Sequence, residues 1–81
     1  MLKYIIFDKH DIPMIVIFDC LQQHVDIRNK INLPVISAGK FSWNTHGKLH
    51  CDSGSVSLGI KSNLEQSIAD EWTINKMMAY N

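Results

Sequence analysis

Two runs rich in β-branched and aromatic residues, Leu2-Lys3-Tyr4-Ile5-Ile6-Phe7 and Ile12-Pro13-Met14-Ile15-Val16-Ile17-Phe18, flank the polar tetrapeptide Asp8-Lys9-His10-Asp11. Such runs, separated by a four-residue polar turn, read as the two strands of an antiparallel hairpin. Both are almost continuously apolar, so both faces are expected to be covered, one of them by a helix. Pro13 lacks a backbone donor and belongs at the start of its strand or on an outward edge.

The pattern then changes period. Leu21, Val25, Arg28 and Ile31 recur at spacings of four and three, which predicts a short helix over residues 21–31, with Asp19 and Gln22 or Gln23 and Asp26 as alternative caps. Asn32-Leu33-Pro34 ends it. Residues 35–43 read as a strand with Val35, Phe41 and Trp43 on one face and Ile36 and Ala38 on the other; Gly39 inside it signals a bulge or a close backbone approach. Asn44-Thr45-His46-Gly47 is a turn, and residues 48–51 and 55–60 predict two further short strands. Ser62 and Glu65 have the spacing of a capping box, in which each side chain accepts from the other residue's amide, and this starts a helix over residues 63–78. Leu64, Ile68 and Trp72 stack along one face, expected to be the inner one, with Asp70 and Glu71 on the opposite side. The expected fold is α+β: one domain over residues 1–81, β-β-α-β-β-β-α, mostly antiparallel, with the C-terminal helix packed on one face of the sheet.

Eighty-one residues bury about 60–65% of the surface of the unfolded chain, which leaves a small core that oligomerisation would support. Eight basic and eight acidic residues balance, and Lys3, Lys9, Arg28, Lys30, Lys40, Lys48, Lys61 and Lys76 are dispersed rather than clustered. Nucleic-acid binding draws its affinity from neutralised phosphates, so this distribution speaks against it. No apolar run approaches the ~20 residues of a membrane span. Leu2 to Phe7 is too short for the apolar core of an export signal, so a reducing compartment is expected, with Cys20 and Cys51 as buried free thiols.

No constellation of catalytic type emerges. His46, His50, Cys51 and Asp52 lack the paired ligand spacing of a zinc site, and the two histidines read as surface residues. Ser57 has Gly59 two residues after it but Ser55 two before, so it misses the glycine pair of a nucleophile elbow. His24 lies one helical turn from Cys20 without a third orienting group. Gly39-Lys40 has no preceding glycine at phosphate-loop spacing. No catalytic residue, metal or cofactor is expected. Two tryptophans in so small a chain point instead to an interface, and Trp43, Met77, Met78 and Tyr80 are the candidate partner-binding residues.

Val35-Ile36-Ser37-Ala38-Gly39-Lys40-Phe41 and Gly54-Ser55-Val56-Ser57-Leu58, with the opening Tyr-Ile-Ile-Phe strand, Val16-Ile17-Phe18 and His24, make the chain resemble a group of small bacteriophage and prophage proteins of unknown function. Lys40 stands where that group is usually more apolar, and the C-terminus is longer. The resemblance brings no site residues; it implies a phage product acting in the cytoplasm of a bacterial host. The expected function is therefore non-enzymatic binding of a host or phage protein, most specifically inhibition of a bacterial defence system. An oligomeric phage regulatory or morphogenetic component is the alternative, and a small hydrolase or nuclease the remote one.

Overall fold

In the computed structural model, which describes residues 1–78, β1 (Leu2–Lys9) and β2 (Ile12–Asp19) form the expected hairpin. The register runs from Leu2 opposite Asp19 to Lys9 opposite Ile12, so Asp8 and Lys9 extend β1 and the turn is two residues, His10 and Asp11, rather than the four expected. Both have positive φ, 53° and 68°, which suits the right-handed strand twist. The Asp11 amide donates to the Asp8 carboxylate at 2.8 Å and secures the reversal.

The chain next makes a turn at Asp19, then α1 (His24–Arg28), β3 (Val35–Trp43), β4 (Leu49–Ser53) and α2 (Leu64–Met78). The strand order is β2-β1-β3-β4, antiparallel throughout. Central β1 is buried on both faces. Tyr4 and Ile6 join Phe41, Leu49, Cys51 and Ile74 under α2, whereas Ile5 and Phe7 join Phe18, Ile27 and Ala38 on the α1 face. The fold is α+β, as expected, with the long helix on one face. β2 is an edge strand, and most of it is partly exposed rather than covered on both sides; Pro13 occupies its second position.

Four other local expectations change. Helix α1 has five residues rather than eleven, because the Leu21 and Gln22 amides are taken by Asp19 and the Lys30 and Ile31 amides close tight i→i+3 turns. Its start uses the second cap: the Gln23 amide donates to the Asp26 carboxylate at 3.3 Å. In β3 the register slips between Ile6 and Phe7, whose partners are Ser37 and Val35, so Ile36 bulges out. Val35 therefore shares the α1 face with Ala38 instead of siding with Phe41. Gly39 supplies the close approach: a Cβ there would meet the Asp52 carbonyl oxygen and lie 2.8 Å from the Tyr4 hydroxyl.

The strand expected over residues 55–60 is a turn. One bridge pairs Ser55 with Ile60 through two 2.9 Å hydrogen bonds, and Gly59 at φ +70° closes Val56-Ser57-Leu58-Gly59 between them. Finally, Asn63 rather than Ser62 caps α2. Its Oδ1 accepts from the Gln66 amide at 3.2 Å, so the Ser62–Glu65 capping box does not form. Among the described residues no helix is long and apolar enough to cross a membrane.

Candidate functional site

The inward face of α2 is polar. Ser67, Asp70 and Ile74 are buried, at the three- and four-residue spacing of one helical stripe. Asp70, 1% exposed, accepts from the Tyr4 hydroxyl at 2.5 Å and the Ser37 hydroxyl at 2.6 Å on Oδ2, and from Gln66 Nε2 at 2.8 Å on Oδ1. Three donors from β1, β3 and α2 satisfy a carboxylate whose burial would otherwise be costly. Burial, reinforced by the Asp70 carboxylate, pushes the Tyr4 hydroxyl far above the ordinary tyrosine range, so it stays a donor.

The same helix covers the outer edge of β4. The Ser53 amide donates to Ser67 Oγ and the Cys51 amide to Glu71 Oε1, each at 2.9 Å. Ser53 Oγ in turn donates to the Asn63 carbonyl at 2.8 Å and accepts from the Asn63 amide at 3.0 Å. Two outward amides of an edge strand are thus taken by side chains of α2.

This anchoring turns the expected inner face outward. Leu64 is 76% exposed, Ile68 58% and Trp72 64%, three large apolar side chains in line at four-residue spacing. Lys76 Nζ sits 4.8 Å from the centre of the Trp72 ring, a cation over an exposed indole. The expectation that Asp70 and Glu71 face away from the sheet is reversed. The reason lies in partners distant along the chain, since Tyr4, Ser37 and Ser53 offer donors that a helical-period reading does not see.

Of the candidate interface residues, Trp43 is half-exposed at the end of β3, packed edge-on to Phe41 with ring centres 5.2 Å apart. Met77, partly exposed, lines an apolar groove of about 370 Å³ with Ile12, Ile15 and Ile17 of β2. The two lie toward opposite edges of the sheet and do not make one patch. Met78 is the last residue of α2, and its side chain lies outside the described part of the structure, as does Tyr80 altogether. Leu64 and Ile68, not among the candidate interface residues, are surface residues as well.

The polar candidates also separate. Cys20 is exposed, contrary to the buried thiol expected, and Cys51 is buried; both are free. Burial, then the nearby Glu71, Asp70 and Asp52 carboxylates, push the Cys51 thiol up to about 12. His50 lies 3.4 Å from Asp52 and 3.5 Å from Glu71 at the exposed β4 rim. Among the described residues no three His, Cys, Asp or Glu side chains converge in a way that would hold a metal ion.

On the α1 face the structure opens a cavity of about 550 Å³ that spacing did not disclose. His24 lies in its floor, almost fully buried, with Nε2–H donating to the Gly39 carbonyl at 2.9 Å and its ring edge-on to Phe18. Lys3, Lys40 and the serines of the 55–60 turn form the walls. Their sequence signal was the Ser55-Val56-Ser57 alternation, which reads as a strand until Gly59 is given its positive φ. Comparison with protein-family profiles, with curated proteins and with solved structures finds no match to this chain.

Proposed function

We propose that this chain is a non-enzymatic protein-binding module whose contact surface is the outward face of α2. One observation carries the reading: Leu64, Ile68 and Trp72 form an exposed apolar stripe on a helix pinned from its other side by Asp70, Ser67 and Glu71. Large aromatic and aliphatic side chains on a rigid helix face are the anchors of helix-in-groove recognition. Because the polar anchors fix the rotation of the helix, little ordering cost remains to be met on binding. The partner in this reading is a protein with an apolar groove. Resemblance to small phage and prophage proteins supports a setting in the bacterial host cytoplasm, and inhibition of a host defence system is its most specific form. Alanine-scale loss at Trp43 or Met77 would extend the surface beyond the stripe.

Photo-crosslinking from position 68 in infected cells, with exposed His46 as the control position, tests the surface. The expected result is one discrete adduct from position 68 and none from 46, with biological activity lost in an Ile68→Glu/Trp72→Glu variant that keeps its fold. Full activity in that variant would overturn the reading. So would turnover of an excess of target by trace protein.

A second reading, an oligomeric regulatory or morphogenetic phage component, is favoured by β2. Its eight-residue outer edge is unpaired among the described residues, and Ile12 to Phe18 contain no charge that would block a second copy.

A further inference from the structure

We infer that the cavity on the α1 face is a binding site for a small phosphate-bearing molecule. This site is lined by no residue of α2 itself and stands whether or not the outward face of that helix has a partner. Lys3 and Lys40 are directly opposite each other in the β1–β3 register and point to the same face, beside Ile5 and Ala38. Like charges so placed repel, and a bound anion between them removes the repulsion. Lys3 Nζ is fixed at the rim by donating to the Gln22 carbonyl at 2.7 Å. Among the described residues Lys40 has no ion-pair or hydrogen-bond partner; Asp52, its neighbour on β4, lies instead 3.4 Å from His50.

The serines add a donor. Ser55 Oγ accepts from the Leu58 amide at 3.3 Å, and Ser57 Oγ accepts from the Val25 amide at 3.2 Å. The two oxygens are 3.4 Å apart, so one hydroxyl donates to the other. The remaining hydroxyl proton has no acceptor among the described residues. The amides of Val56 and Ser57, in the same turn, likewise have none. No arginine lines the cavity, so the planar two-pronged clamp suited to a carboxylate is missing. Two ammonium groups from the sheet and a hydroxyl from the 55–60 turn fit a tetrahedral oxyanion, and Asp52, the one carboxylate in the lining, lies beside His50. The cavity has the size of a small-molecule site, and Val56 and Ile60 give its wall an apolar part for the organic portion.

The test is a titration of the amide ¹H–¹⁵N spectrum with inorganic phosphate and with a nucleoside monophosphate, using acetate and chloride at equal ionic strength as controls. Expected are saturable shifts at Lys3, Lys40, Ser55 and Ser57 with both phosphates and none with acetate, the monoester binding more tightly. Lys40→Gln should weaken binding at least tenfold, while its ligand-free melting temperature equals or exceeds that of the parent because the lysine pair is relieved. Lys3→Gln is read the same way if Lys40→Gln does not fold. Equal responses to all anions, wild-type affinity in the folded lysine variant, or a monoester no tighter than phosphate would overturn the inference.

Discussion

Asn63 and Ser62 are neighbours of similar chemistry, and one hydrogen bond separates their roles. Asn63 accepts from the Gln66 amide and is tied through its backbone to Ser53, whereas Ser62 is exposed. Asn63→Ala should lower the unfolding free energy by about 0.5–2 kcal/mol, and Ser62→Ala should leave the denaturation midpoint unchanged. Urea unfolding of the two variants checks this, and the reverse order would restore the Ser62 cap. His24 gives the chain a pH signature. Burial lowers its pKa from the ordinary 6.5, the Gly39 carbonyl pulls it partly back, and Lys3 and Lys40 lower it further. The unfolded chain therefore takes up a proton at a pH where the folded one does not. Stability is unaffected above about 6.5, falls as the pH drops below it by up to about 1.4 kcal/mol per unit, and levels off below the folded pKa. His24→Gln, which retains a donor for Gly39, should flatten the stability profile between pH 6.5 and 5; an unchanged slope there would exclude His24 as its source.

At the scale of elements, the hairpin was legible and the face of α2 was not. Residues 2–7 and 12–18 carry their strand character in their own composition, and the His10-Asp11 reversal needs nothing distant. The length of α2 was equally local. Its rotation was not, because Asp70 is satisfied by Tyr4 and Ser37, sixty-six and thirty-three positions away. A buried carboxylate inside a helix reads as a solvated one until those hydroxyls are placed. The cavity walls were hidden for a similar reason, since Lys3 and Lys40 meet only once the β1–β3 register is known. The exposed stripe carries its own stability prediction. Ile68→Glu and Trp72→Glu remove side chains that pack little against the fold, so each should shift stability by no more than about 0.5 kcal/mol. Chemical denaturation of the single variants checks it; a loss of several kcal/mol would place these residues in the core after all.

Across the whole molecule the two sheet edges are treated differently. Side chains of α2 occupy the outward amides of β4, while β2 presents an open, apolar edge. Self-association, where it occurs, should therefore extend the sheet through β2. Light scattering should then show a dimer whose mass falls to the 9.3 kDa of the single chain in an Ile15→Lys variant. A monomer at high micromolar concentration in the parent chain would rule this out. The Asp70 cluster has a further consequence for the energy landscape. The observed rotation of α2 about its own axis seats Ser67, Asp70 and Ile74 against the sheet, and the alternative would seat Leu64, Ile68 and Trp72. Hydrophobicity alone favours the second, so the three hydrogen bonds to Asp70, with the Ser67 and Glu71 contacts to β4, hold the first lower in free energy. Asp70→Leu paired with Tyr4→Phe should narrow that gap and let the helix roll. Trp72 fluorescence would then shift to the blue and lose its access to aqueous quenchers, with helix content unchanged. An indole that stays exposed in the double variant would mean that the rotation of α2 is held by the β4 contacts alone.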